Sequence, residues 1–179
     1  MRHNDNVQSP PRTIMEAYKS LPEGTLAELI DGILYMSPAP TLQHQRVVLK
    51  LAKTLSDHID KEENGELFIA PVDVFLDETA NAVQPDILYI AHKGAAKVLE
   101  NRVVGAPDFI VEIVSPGNTD HDWKTKMSLY ERFGVKEYRI VDPQSKETTG
   151  FLLKDGIYKP LENGFGQLHS SILGQSFTF

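Results

Sequence analysis

Two carboxylates stand inside runs that otherwise read as buried β-strands: Asp86 in V-Q-P-D-I-L-Y-I and Glu112 in D-F-I-V-E-I-V-S-P. A carboxylate taken out of water and left alone is costly, so each needs a hydrogen-bonded partner, a cation or a solvated cleft. On neighbouring strands the two acids could share one ion. Their oxygens suit Mg²⁺ or Mn²⁺, hard ions that keep several waters and bind few carboxylates. The bland alternatives are turn chemistry at Pro85-Asp86 and a buried ion pair at Glu112. Asp108 is a rival, because Pro107-Asp108 repeats the Pro-Asp pair. It lies four residues before Glu112 in what reads as one strand, roughly 13 Å away at about 3.3 Å per residue. That is too far to share an ion, so Asp86 is the better partner.

Other chemistries lose their support in turn. Cysteine is absent, which removes disulfides, thiolate metal sites and cysteine nucleophiles, and agrees with a cytoplasmic location. The sequence holds no H-x-x-x-H or H-E-x-x-H zinc spacing, no G-x-S-x-G elbow, no P-loop and no G-x-G-x-x-G. The formal net charge is −7, which counts against a module that binds by blanketing phosphates. It counts less against a metal-dependent enzyme whose carboxylates hold the cations. A nucleic-acid surface must then be local, and Lys124, Lys126, Arg132, Lys136 and Arg139 form the candidate cluster. No apolar run is long enough to span a bilayer, and M-R-H-N-D-N-V-Q-S-P-P has no apolar signal stretch.

The elements that must position these residues follow from periodicity. Residues 1–12 read as a loose leader and residues 13–179 as one domain. Thr13 and Glu16 predict a capping box for a short helix to Ser20. T-L-A-E-L-I-D-G-I-L-Y-M-S-P reads as a hairpin turning at Asp31-Gly32. Val47, Val48, Leu51, Leu55 and Ile59 recur at helical spacing, predicting a long amphipathic helix from Thr41 to about Glu62, closed by Gly65. Three strands follow: E-L-F-I-A-P-V-D-V-F-L, V-Q-P-D-I-L-Y-I-A and A-P-D-F-I-V-E-I-V. His92 to Gly105 reads as a loop with a short helix. A second helix is expected from about Thr119 to Phe133, with Trp123, Met127 and Tyr130 as its buried stripe and Gly134 at its end. E-Y-R-I-V-D-P is a strand, and turns at Asp155-Gly156 and Asn163-Gly164 predict an antiparallel tail ending in S-F-T-F, which could cover a sheet edge or pair with a second copy. The expected class is α+β, or mixed α/β: a central mixed sheet flanked by two principal helices, with antiparallel hairpins at both ends.

The ordered segments A-E-L-I-D-G, V-Q-P-D-I, A-P-D-F-I-V-E-I-V-S-P, D-W-K-T-K-M-S-L-Y and G-V-K-E-Y-R-I-V-D-P resemble the Uma-type endonuclease family, a branch of the PD-(D/E)XK restriction-endonuclease-like superfamily. The resemblance covers about residues 13 to 145. It implies that Asp86 and Glu112 are the metal-binding acids, that the Ile113 carbonyl is a further ligand, and that Glu28 completes the site. The parent motif has a lysine two residues after the glutamate, and here that position is Val114. The resemblance is to the variant whose lysine has moved to the following helix, which makes Lys126 the replacement. A surface pair with Asp122, four residues earlier, is the alternative role for Lys126. His44, Ser115, Lys124 and Tyr130 are candidate substrate-contacting residues, with local capping, turn formation and core packing as their alternatives.

The chemistry implied is hydrolysis of nucleic-acid phosphodiesters, DNA ahead of RNA, by a Mg²⁺- or Mn²⁺-dependent endonuclease. A carboxylate-held ion lowers the pKa of bound water and shields the phosphate, and a lysine beside that water positions it and neutralises charge. The other classes kept open are a catalytically silent nuclease-fold module that binds nucleic acid or protein, and a metal-binding oligomerisation module. A homodimer fits the cutting of two strands.

Overall fold

The computed structural model describes residues 10–115 and 121–179, the first three residues of the second segment by backbone alone. Residues 1–9 of the expected leader, and Thr119 at the expected start of the second helix, lie outside the described residues. Helix α1 (Ile14–Lys19) begins at Thr13, whose Oγ1 accepts the Glu16 N–H at 3.1 Å. Glu16 answers by accepting the Arg12 N–H at 2.6 Å, one residue upstream of the usual capping box. Strands β1 (Ala27–Ile30) and β2 (Ile33–Met36) form the expected hairpin. Asp31 (φ 49°) and Gly32 (φ 76°) make the left-handed two-residue turn that Asp-Gly favours.

Helix α2 (Leu42–Glu62) is capped by Thr41 and buries His44 with the expected Val47, Val48, Leu51, Leu55 and Ile59. It closes on Glu63 (φ 47°), not on Gly65. Gly65 opens β3 (Gly65–Ile69), where a Cβ would collide with the Ile90 carbonyl and the Tyr89 ring. Two runs that read as single strands are each split at a proline. E-L-F-I-A-P-V-D-V-F-L becomes β3 and β4 (Val74–Phe75), and V-Q-P-D-I-L-Y-I-A becomes β5 (Ala82–Val83) and β6 (Ile87–Ala91). Pro71 and Pro85 have no N–H for a ladder, so the chain leaves one sheet and enters another there. Asp86 consequently stands just before β6 rather than within it.

The segment expected as a loop with a helix is a hairpin instead, β7 (Lys97–Leu99) and β8 (Arg102–Val104). Its strands are three residues long and bury Val103 alone, too little to show an alternating pattern. Strand β9 (Phe109–Ile113) carries Glu112. A π-helical turn, His121–Lys126, then feeds α3 (Met127–Phe133), which ends at Gly134 (φ 85°). Strands β10 (Glu137–Val141), β11 (Glu147–Lys154) and β12 (Ile157–Pro160) follow, the last two joined through Asp155 (φ 53°) and Gly156 (φ 77°). Gly164 is not a turn residue: it starts β13 (Gly164–Phe165), which pairs with β11, and the left-handed glycine is Gly166 (φ 64°). Strands β14 (Gln167–Ser170) and β15 (Gln175–Thr178) close the chain as a hairpin.

The fold is mixed α/β, built around a central sheet in the order β12-β11-β10-β9-β6-β3. Its β9–β10 pair is parallel and its other pairs are antiparallel. Alternation assigns the faces. Ile87, Tyr89, Phe109, Val111 and Ile113 pack under α2 and the β14–β15 hairpin, which Phe177 anchors. S-F-T-F thus covers a helix and a sheet face within its own chain. Leu88, Ile90, Ile110, Tyr138 and Ile140 pack on the other side against Leu129 and Tyr130 of α3 and against a second sheet, β2-β1-β5-β4-β8-β7. Helix α1 covers the outer face of that second sheet through Met15 and Tyr18. Among the described residues no helix is long and apolar enough to cross a membrane.

Candidate active site

The two sheets meet at the open end of β6 and β9, around a cleft of about 540 Å³. Glu28, His44, Asp86, Glu112, Ile113, Ser115 and Lys126 all line it, with Met36, Pro38, Pro40 and Pro71 among the apolar residues of the wall. Each polar member arrives by a separate route. Glu28 shares the inner face of β1 with Ile30, and Glu112 shares a face of β9 with Ile110. Both therefore point between the sheets. Lys126 sits where the π turn passes into α3, and single π turns of this kind recur at functional sites.

Lys126 is buried, with a side-chain exposure of 7%. Its Nζ lies 3.0 Å from Glu112 Oε1 and 3.0 Å from Glu28 Oε2. The alternative pairing with Asp122 falls on a side chain outside the described residues. Glu28 Oε1 accepts the Gln84 N–H at 2.9 Å, so both of its oxygens are engaged. One turn of α3 beyond Lys126, the Tyr130 hydroxyl donates to the same Glu112 Oε1 at 2.7 Å. Burial, reinforced by the charges of Glu112 and Glu28, raises Tyr130 well above the usual tyrosine range and keeps it a donor. Tyr130 is fully buried and is not among the residues that line the cleft, and its hydroxyl holds Glu112.

Asp86 is held differently. Its Oδ2 accepts the Ile113 N–H at 2.8 Å and lies 3.1 Å from His44 Nε2, while Oδ1 takes no hydrogen bond from the described residues. The strand register explains the contact with Ile113. Ile87 pairs with Val111, so the ladder extended by two residues sets Pro85 opposite Ile113. Proline has no N–H to give the Ile113 carbonyl. A strand residue's N–H and C=O share an edge, so that carbonyl faces the Asp86 side without its ladder donor.

Among the described residues no three His, Asp or Glu side chains converge as a ready-made cation cage. The donor chemistry at the Asp86 end still suits a hard divalent ion, with Asp86 Oδ1 and the Ile113 carbonyl as oxygen donors and Glu112 on the adjoining strand position. Glu28 is instead committed to Lys126 and Gln84. Ser115 is half-buried at the cleft wall. Lys124 is exposed and is not among the lining residues.

The rival Asp108 lies at the opposite end of β9. There it is buried against the Ala91 N–H and paired with Lys136 at 2.5 Å. The expected basic cluster does not form one face. Lys126 and Arg139 are buried, Arg139 Nε bonding Glu137 at 2.8 Å, and Arg132 pairs with Asp31. Sequence reasoning did not find the roles of Gln84 or Tyr130. Gln84 gave no signal beyond its place beside Pro85, whereas Tyr130 follows Lys126 at i+4 and so had to share its helix face.

Residues 15–178 match the family Uma2, described as "Putative restriction endonuclease". No curated protein matches the chain. Among solved structures, one from Anabaena variabilis ATCC 29413, titled as that of "a putative nuclease belonging to DUF820", superposes with a TM-score of 0.73 over 92% of each chain at 14% identity. At that identity the likeness establishes the fold. The family match spans nearly the whole chain, and the chain belongs to the Uma2 restriction-endonuclease family.

Proposed function

We propose that this protein is a Mg²⁺- or Mn²⁺-dependent endonuclease that hydrolyses phosphodiester bonds, with DNA preferred over RNA. The observation that carries the reading is Lys126. The motif position after Glu112 holds Val114, which is buried, yet a lysine from the next helix returns to 3.0 Å from Glu112 in the cleft that Asp86 lines. Asp86, Glu112 and the Ile113 carbonyl would hold the ion, which supplies a water of lowered pKa and charge shielding at the phosphate. The Lys126 ammonium beside Glu112 would position the attacking water and offset charge on the phosphate. Glu28, itself held by the Gln84 N–H, anchors that ammonium, and Tyr130 fixes the Glu112 oxygen. The preference for DNA rests on analogy within the family.

The test is cleavage of single- and double-stranded DNA and RNA with Mg²⁺, Mn²⁺ or EDTA. Activity should need the ion and disappear in Asp86→Ala and Glu112→Ala; activity that persists in either variant sinks the proposal. A second reading, a silent nuclease-fold module, is favoured by one feature: Lys126 is clamped by two carboxylates. Nucleic-acid binding by the wild type with no cleavage under any ion would select it.

A further inference from the structure

We infer that His44 is a positioning residue for Asp86, tethering Oδ2 so that Oδ1 alone is presented to a divalent ion. The inference rests on the metal-dependent reading of the cleft. His44 belongs to the first turn of α2, which is fixed at both sides: Thr41 Oγ1 accepts the His44 N–H, and Gln43 Nε2 donates to the Pro143 carbonyl. Its side chain is 6% exposed and lies in the cleft wall. Nε2 is 3.1 Å from Asp86 Oδ2, while Nδ1 is buried and has no hydrogen-bond partner among the described residues.

That asymmetry fixes the tautomer. A proton on Nδ1 would bury a donor without an acceptor and turn a lone pair on Nε2 towards a carboxylate. The neutral ring therefore carries its proton on Nε2 and donates it to Asp86. Together with the Ile113 N–H, His44 occupies Oδ2 from two directions and stops the carboxylate from rotating. What remains for a cation is Oδ1. His44 contributes no atom to the ion; removing it frees Asp86 to turn, and the cost falls on ion affinity.

Two measurements test this, the first without any metal. Long-range ¹H–¹⁵N spectra of the metal-free protein should show His44 as the Nε2–H tautomer, and an Nδ1–H tautomer overturns the tether. The second is Mn²⁺ affinity, read by electron paramagnetic resonance on wild type, Asp86→Ala, His44→Ala and His44→Gln, with melting curves as the folding control. His44→Ala should weaken binding roughly 10- to 100-fold, the usual penalty for losing a partner of a metal ligand. His44→Gln, whose amide nitrogen reaches the position of Nε2, should restore most of the loss. Wild-type affinity in His44→Ala overturns the inference and leaves the metal site standing. Equal weakening in both His44 variants also overturns it, because a ring that binds the ion directly would give that result. Absence of Mn²⁺ binding to the wild type overturns the metal reading and this inference together.

Discussion

Replacing Lys126 with methionine keeps most of the side-chain volume and removes the charge that Glu28 and Glu112 share. Each N⁺–H···O⁻ contact is of the charged kind, worth about 1.5–3 kcal/mol. Breaking a buried pair by deleting one partner typically costs about 3–5 kcal/mol, because the other charge is left behind. Here each acid retains a donor: Glu112 keeps the Tyr130 hydroxyl and Glu28 keeps the Gln84 N–H. The lower end, about 3 kcal/mol, is the expected loss. A domain of ordinary stability, about 5–15 kcal/mol, survives that. In urea the midpoint should fall by about 1.5 M, taking a slope of about 2 kcal/mol/M. Saturating Mg²⁺ should recover more stability in Lys126→Met than in wild type, since a cation entering the cleft then relieves two carboxylates that have lost theirs. Cleavage should drop by about two to three orders of magnitude. An unchanged urea midpoint would refute the buried clamp, and an unchanged cleavage rate would refute the catalytic role, each independently of the other.

Tyr130→Phe removes one donor from Glu112 while Lys126 remains, so it should cost about 1–2 kcal/mol in a urea melt and leave the nuclease measurable. Tyr18, Tyr130 and Tyr158 are all raised above the usual tyrosine value, chiefly by burial. A group whose folded pKa is raised contributes stability below its unfolded pKa and loses it as pH climbs, so stability should be level up to about pH 10 and then fall. The limiting slope is about 1.4 kcal/mol per pH unit for each tyrosine, and a flat alkaline profile would show that the rings ionise while folded. Asp77, between β4 and β5, is held at about 2 by hydrogen bonds from Ala80, Asn81 and Thr79, which outweigh the opposing effect of burial. A lowered carboxyl contributes stability above its unfolded pKa, so the advantage of wild type over Asp77→Asn should be present at pH 6 and vanish as pH falls from about 4 towards 2. Urea midpoints of the two proteins at pH 6, 4 and 3 check it.

The elements with a long or strongly marked pattern were legible in the sequence. Five apolar residues at helical spacing gave α2, and Asp31-Gly32 gave the first hairpin. What escaped was assignment to sheets. Nothing local distinguishes a strand that continues through a proline from two strands in different sheets, so the crossings at Pro71 and Pro85 were invisible, and with them the extension of the first hairpin into a second sheet. The β7–β8 hairpin buries one side chain, and a pattern needs more than one point. For the site, strand distance placed Asp108 away from Glu112, and the structure puts Asp108 at the other end of β9 with Lys136. Burial could not be read for the cations: Arg139 looks like a surface residue in the sequence, yet it packs against Gly150, where a Cβ would meet its guanidinium.

Pro-Asp is nearly worthless as a sequence signal, but here both residues of the pair have a physical task, and the tasks are coupled. The β6–β9 register carries Pro85 to the place where a ladder residue would exchange two hydrogen bonds with Ile113. Proline withholds the donor, which leaves the Ile113 carbonyl facing the cleft. The chain bends at Asp86 and the β6 ladder begins only at Ile87, so the Ile113 N–H needs another acceptor, and Asp86 Oδ2 supplies it at 2.8 Å. The carboxylate that satisfies the strand end is thereby fixed beside the carbonyl that the strand end leaves open. Pro107-Asp108 does not repeat this arrangement. It precedes β9 at the closed end of the sheet, where the Asp108 N–H bonds the Tyr89 carbonyl and its carboxylate takes the Ala91 N–H and Lys136. The same dipeptide therefore makes a candidate cation site in one place and, in the other, an ion pair between a buried aspartate and an exposed lysine, and what separates them is which end of the ladder the proline interrupts.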